Sequence, residues 1–130
     1  MTGGAPSVTQ MQVDRFVRAF SDFVNEARAA VADAARNPEL AKAPEFAAWQ
    51  GKVLPLLEHD KAAVENAVAQ AQAGDLRPIL VEAEDKRGLA KDMDGFPLTF
   101  AGPDHAQLLG ELRTAVVRSA YQLCAAAGIP

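Results

Sequence analysis

One face of the predicted first helix carries an unbroken apolar stripe, and this stripe constrains the fold more than any other feature of the sequence. Its residues are spaced alternately three and four positions apart, so their side chains share one face of a single helix. Such a face is stable only when a second apolar surface covers it. The sequence therefore predicts an all-α fold of packed helices. The stripe consists of Val13, Phe16, Phe20, Phe23, Ala27, Ala30 and Ala34.

The length and composition of the chain predict one domain. Its 130 residues are enough to bury about two thirds of the surface of the unfolded chain. Its apolar runs are far shorter than the roughly 20 residues that cross a bilayer, and its start lacks the features of a signal peptide. We therefore expect a cytoplasmic protein with no membrane partner. A flexible arm at residues 1–8 would precede a single helical-bundle domain at residues 9–130.

Prolines and glycines divide the chain into four main helices. A residue that precedes proline is pushed out of the helical region, so Asn37-Pro38 ends the first helix. Pro55 is expected to kink the second helix, because its ring clashes with the carbonyl four residues back. An irregular loop is predicted for residues 88–103. The four predicted helices run from a cap at Ser7 or Thr9 to about Arg36, from Glu45 to Ala73, from Leu76 to Arg87, and from Asp104 to Gly128.

Helical spacing also predicts which side chains of the later helices are buried. The irregular loop carries three large apolar residues, which we expect to fold down as a lid over one end of the bundle. The stripe of the second helix is Phe46, Trp49, Val53, Leu57, Val64, Ala67 and Ala71. That of the last helix is Leu108, Leu112, Ala115 or Val116, Ser119, Leu123 and Ala127. The apolar loop residues are Phe96, Leu98 and Phe100.

His59 and Asp60 form the strongest polar anomaly of the sequence. Asp60 falls where the second stripe calls for an apolar residue, and a buried carboxylate needs a partner. One interpretation is a buried acid, or a His59 and Asp60 pair aimed at a ligand. The other, which we favour, is that the Pro55 kink exposes Asp60, where it meets an Arg or Lys of another helix. We expect His59 to be exposed.

Residues that commonly carry catalysis or bind cofactors are sparse. With two histidines and one cysteine, the chain offers no recognisable nucleophile triad, haem attachment site, metal-binding motif or phosphate-binding glycine loop. We therefore expect no cofactor and no enzymatic activity, and we interpret Cys124 as a small buried apolar residue. The net charge is −4 and the basic residues are scattered, so the isolated chain is not expected to bind nucleic acid. The mixed charges of residues 82–87 are interpreted as a solvated face.

Trp49-Gln50-Gly51 resembles the Trp-x-Gly signature of the small helical-hairpin substrates of type VII secretion. In that family the tripeptide lies in the turn between two long helices, so the resemblance implies a turn at this position. The chain departs from the family, because two further helices follow. The C-terminal export signal of that family, a Tyr with an acidic residue four positions later, is not met, since Ala125 follows Tyr121 at that distance.

The first helix is more apolar than one neighbouring helix requires, which indicates a partner surface. We therefore predict a non-enzymatic protein-interaction or assembly module, such as a small subunit of a complex or a homo-oligomer. One alternative is an acidic inhibitor or immunity-type protein that binds a basic effector. Another is a small-ligand binder or enzyme that uses His59 and Asp60. The candidate interface residues are Phe16, Phe20, Phe23, Trp49, Phe96 and Phe100.

Overall fold

The computed structural model describes residues 8–130, and this part of the chain is all-α, without a β-strand. The arm predicted for residues 1–8 lies outside the described residues except for Val8, which packs against the core. A π turn spans Trp49–Val53 and a 3₁₀ turn spans Leu98–Ala101. The helices are α1 (Gln10–Ala35), α2 (Pro38–Ala41), α3 (Pro44–Ala48), α4 (Leu54–Gln72), α5 (Arg77–Lys86), α6 (Leu89–Asp92) and α7 (Pro103–Ala126).

Caps at both ends explain why α1 matches its predicted bounds. The Thr9 hydroxyl accepts a hydrogen bond from the Gln12 backbone N–H at 3.2 Å, and the Gln12 side chain accepts one from the Thr9 N–H at 2.9 Å. This reciprocal pair is a capping box, which satisfies backbone donors that the helix leaves free. After α1 ends, the Asn37 side chain accepts from the Glu39 N–H at 3.0 Å and begins α2.

The apolar stripe of α1 forms the centre of the core, as its spacing predicts, but it is not a partner surface. All seven stripe residues are buried, and Phe16, Phe20 and Phe23 are fully buried within the single chain. Trp49 and Phe100 are also interior residues. Their assignment as interface candidates is therefore wrong, because these side chains are buried within the chain, where α4 and α7 pack against α1. Phe96 differs, since it is partly exposed.

A π turn stands where the sequence predicts a kink at Pro55. Helix α3, the π turn and α4 follow one another without a non-helical residue, and the Leu54 N–H donates to the Trp49 carbonyl five residues back. Pro55 is the second residue of α4, which directly follows the π turn, and such a turn is a common helical irregularity where a proline interrupts the regular hydrogen-bond ladder. The wider turn therefore accommodates the proline within a continuous helical path.

The predicted stripe of α7 is partly wrong in register. Leu109 is fully buried, whereas Leu108 is 41% exposed. From Val116 onwards the predicted and observed faces agree, since Ser119 and Leu123 are buried together with it. Two adjacent leucines satisfy helical spacing almost equally well, so spacing alone could not choose between them.

The predicted irregular loop contains α6 and the 3₁₀ turn, and it packs against the core through Trp49. The indole N–H donates to the Pro97 carbonyl at 2.9 Å. The Phe100 ring stacks on the indole with a centroid distance of 4.4 Å and an interplanar angle of 18°. Because a buried indole N–H needs an acceptor, this hydrogen bond fixes the loop to the π turn.

The four longest helices contact one another in a closed order. Helix α1 contacts α4 and α7, and α5 contacts the same two helices. Within residues 8–130, no helix combines the length and the apolar character needed to span a membrane.

Substitution of Phe20 by alanine tests whether the α1 stripe belongs to the core. We expect Phe20→Ala to lower the free energy of unfolding by about 3–5 kcal/mol, because a fully buried ring leaves a cavity. The matched control Leu108→Ala should cost less than about 1 kcal/mol, since Leu108 is partly exposed. Urea denaturation of both variants checks this, and equal losses would contradict the assignment.

Candidate functional site

Lys86 is a buried charged residue at the end of α5. Its side chain is 2% exposed, and its stem continues the apolar stripe of α5 through Ile79 and Ala83. The ammonium group lies 5.2 Å from the centroid of the Phe20 ring on α1, within the range of a cation–π contact. A cation in the last turn of a helix also interacts favourably with the helix dipole.

Three carboxylates hold the Lys86 ammonium. Its Nζ atom lies 2.7 Å from Oδ2 of Asp85, 3.1 Å from Oδ2 of Asp60 and 3.5 Å from Oε1 of Glu82. Asp60 belongs to α4, whereas the other two belong to α5, so the contacts join these helices. The cluster of Asp60, Glu82, Asp85 and Lys86, termed the Lys86 cluster, carries a formal charge of −2.

The carboxylates keep the buried amine charged. Desolvation alone would lower the pKa of Lys86, but the hydrogen bond from its ammonium to Asp85 and the charge of Asp60 outweigh that effect. The net result is a pKa above the ordinary lysine value. Lys86 is therefore an anchoring cation, and it lacks the depressed pKa that an amine nucleophile requires.

An apolar cleft opens beside the Lys86 cluster, between α4 and α6. The π turn contributes Lys52 and Val53 to its wall, and the Lys52 ammonium lies 5.2 Å from the centroid of the Phe96 ring. Leu56 stands on its border with 56% of its surface exposed. This α4–α6 cleft is lined by Lys52, Val53, Leu56, Leu57, Asp60, Asp85, Lys86, Leu89, Asp92, Met93 and Phe96.

The size of the cleft limits what it can hold. Its volume is about 190 Å³. Sites for drug-sized ligands and cofactors measure about 300–1,000 Å³. The α4–α6 cleft therefore fits one large side chain or a small organic fragment better than it fits a nucleotide or a prosthetic group.

A second depression adjoins the cleft and shares two of its carboxylates. This α5 hollow is lined by Val81, Glu84, Asp85, Gly88 and Asp92. Asp85 and Asp92 line both depressions. Val81, with 63% of its surface exposed, borders the hollow as Leu56 borders the cleft. The surface thus combines two apolar borders with carboxylates between them.

The structure separates His59 from Asp60. His59 is exposed, as predicted, whereas Asp60 is partly buried and turns towards Lys86. Adjacent residues of a helix face different directions, so the two side chains do not form a pair aimed at one ligand. Lys86 is the basic residue of another helix that we expect Asp60 to meet, but Asp60 is partly buried and not fully exposed as expected. The interpretation of residues 82–87 as wholly solvated is wrong for Lys86.

His105 forms a second ionic contact that sequence reasoning missed. Its Nδ1 atom lies 2.5 Å from Oε2 of Glu26, and its Nε2 atom lies 2.8 Å from Oδ2 of Asp33. The two carboxylates belong to α1 and the ring to α7, so the contact clamps these helices together. The acidic residues lie 79 and 72 positions away in sequence, which no local motif reveals.

The hydrogen bond to Glu26 is the largest reason why the pKa of His105 is raised; desolvation is the next largest effect and opposes it, and the contact with Asp33 adds to the rise. In return, the hydrogen bond from His105 lowers the pKa of Asp33. Because both ring nitrogens face carboxylates, the ring favours the doubly protonated form. A histidine held in this way on both sides has no free nitrogen for acid–base catalysis.

Within residues 8–130 no three His, Cys, Asp or Glu side chains are arranged to hold a metal ion. The carboxylates around His105 approach opposite nitrogens of one ring and so do not converge on a common point. Cys124 is buried, as predicted, and burial raises the pKa of its thiol. It is therefore a structural residue in this fold.

Trp49-Gln50-Gly51 lies within the π turn and not in a turn between two long helices. Trp49 is fully buried against the loop that follows α6. The turn that the type VII secretion resemblance implies is therefore wrong for this chain.

Two substitutions of Lys86 separate its packing from its charge. We expect Lys86→Ala to lower the free energy of unfolding by about 2–3 kcal/mol, because it removes the buried stem and leaves carboxylates without their cation. Lys86→Met should cost less than Lys86→Ala, since it retains the buried stem and leaves the same partly exposed carboxylates without their cation. Urea denaturation provides the measurement, and equal losses would show that the charge dominates.

The contact of His105 with Glu26 and Asp33, termed the His105 clamp, predicts that the free energy of unfolding depends on pH. A raised pKa means that the stabilisation is complete below the unfolded value of 6.5 and is lost as pH rises through the folded pKa. The lowered pKa of Asp33 acts in the opposite range, since its stabilisation is lost as pH falls below 3.8. We expect His105→Gln to lower the free energy of unfolding by about 1 kcal/mol at about pH 5.5, and by less at about pH 8.5. Denaturation at both values checks this, and a larger loss at the alkaline pH would contradict it.

The chain was compared with protein-family models, with curated proteins and with solved structures, and none of the three comparisons gives a match. Function is therefore inferred from the α4–α6 cleft and from the charges around it.

Proposed function

We propose that this chain is a non-enzymatic protein-interaction module that docks a side chain of another protein in the α4–α6 cleft. The observation that carries the proposal is the combination of a side-chain-sized apolar cleft with an exposed apolar border and charged groups at its edge. Protein interfaces commonly place one apolar anchor in a pocket and surround it with polar groups.

The alternative class, an enzyme or small-ligand binder that uses His59 and Asp60, receives less support. Asp60 contacts Lys86 whereas His59 is exposed, so the two side chains do not share a site, and Lys86 and His105 are both held by carboxylates. An interaction module requires none of these groups to react.

We further propose that α1, α4, α5 and α7 act as a four-helix bundle that serves as a rigid support for the cleft. The closed order of contacts among these helices supports this arrangement. The Lys86 cluster lies where α4 and α5 meet, so it would hold one wall of the cleft in place. A cytoplasmic location and the inability of the isolated chain to bind nucleic acid remain predictions from the sequence.

Site-specific photo-crosslinking in the native host tests the proposal. We expect p-benzoylphenylalanine in place of Leu56 to form a discrete adduct with another protein, because Leu56 borders the cleft. The same group in place of Ala62, an exposed residue elsewhere on α4, is the matched control and should form no such adduct. Adducts are resolved by gel electrophoresis and identified by mass spectrometry.

The outcomes of this experiment distinguish the possible partners that could occupy the α4–α6 cleft. An adduct at position 56 with twice the mass of the chain would identify self-association as the interaction. An equal yield of adducts from positions 56 and 62, or no adduct from either, would overturn the cleft as a docking site.

A further inference from the structure

The charge around the cleft specifies the chemistry of its partner. The α4–α6 cleft and the α5 hollow are lined by four carboxylates and two ammonium groups, a formal excess of two negative charges, and one of the carboxylates, Glu84, also lies 4.0 Å from the Arg87 guanidinium. One of the ammonium groups, that of Lys86, is buried and already held by the Lys86 cluster. The carboxylates are Asp60, Glu84, Asp85 and Asp92.

The carboxylates and the apolar borders follow one another across the surface. Leu56 and the cleft lie on one side of the shared pair Asp85 and Asp92, and the hollow with Val81 lies on the other side. Leu56 and Val81 are both more than half exposed. An occupant that matches this order presents an apolar group, then a cation, then a second apolar group.

We infer that the partner contributes a segment in which a Lys or Arg lies between two apolar side chains, one of which enters the α4–α6 cleft. This inference rests on the proposed function and names the partner of the same site. The basic side chain contacts Asp85 and Asp92, while the second apolar side chain covers Val81. Complementary charge at such a surface sets orientation and discriminates against acidic segments.

The choice of a protein segment over a free amine follows from the extent of the surface. A small alkylammonium ion would occupy the cleft alone and leave Val81 exposed, whereas a segment of chain reaches both depressions. A basic partner is also what the predicted alternative of an acidic inhibitor or immunity-type protein requires. A second copy of the chain fits this charge less well, since its net charge is −4.

Two synthetic peptides provide the probe, a short amphipathic peptide of Leu and Lys and its counterpart of Leu and Glu. We expect the full chain to bind the Leu/Lys peptide in isothermal titration calorimetry, more weakly at about 0.3 M than at about 0.05 M salt. The double variant Glu84→Gln with Asp92→Asn should weaken that binding by about fivefold and leaves the Lys86 cluster intact. Val81→Asn should also weaken it, because the second apolar contact is lost.

The double variant Asp14→Asn with Asp22→Asn removes the same charge from the exposed side of α1 and should leave the affinity unchanged. Three results would overturn the inference. They are equal affinity for the Leu/Glu peptide, equal losses of affinity for the Leu/Lys peptide in the two double variants, and binding of hexylamine as tight as that of the Leu/Lys peptide. If neither peptide binds but the adduct at position 56 forms, the inference fails and the proposed function stands. If the peptide pattern holds but no adduct forms in cells, the proposed function fails.

Discussion

The burial of the Lys86 ammonium is the constraint on which the acidic surface around the α4–α6 cleft and the α5 hollow depends. A charge removed from water requires partners, and Asp60, Glu82 and Asp85 supply them from two helices. The ammonium also lies above the Phe20 ring of α1, so one residue relates α1, α4 and α5. Because a single cation is shared among three carboxylates, the neighbouring surface retains an excess of negative charge beside an apolar cleft.

The His105 clamp and the Lys86 cluster have different roles, which follow from their positions. The His105 clamp joins α1 to α7 and has both ring nitrogens occupied, so it contributes to stability. The Lys86 cluster joins α4 to α5 and borders the α4–α6 cleft, so it contributes to both stability and surface charge. Because the His105 clamp has a structural role, the Lys86 cluster is the more relevant of the two to binding.

Much of the fold follows from the sequence, because the spacing of α1 permits one buried face and Thr9 and Pro38 define its ends. The position of Asp60 in an apolar stripe indicates its contact with a basic residue of another helix, but the exposure that we favoured for it is only partial. Lys86 carries the same signal at the end of α5, after Ile79 and Ala83, and two such anomalies on neighbouring helices identify a pair. The His105 clamp lacks any such signal, because its partners lie on a helix more than 70 residues away. The width of the apolar face of α1 led to the wrong prediction of a partner surface, because the sequence does not show how many helices of the same chain cover that face.

The central claim is that the α4–α6 cleft receives an apolar side chain of a basic partner, and intermolecular nuclear Overhauser effects test it most directly. With the Leu/Lys peptide bound, we expect contacts from its leucine methyl groups to the methyl groups of Met93 and Leu56, which line the cleft. Contacts confined to Met11 and Leu112, which lie in the groove between α1 and α7, would contradict the claim.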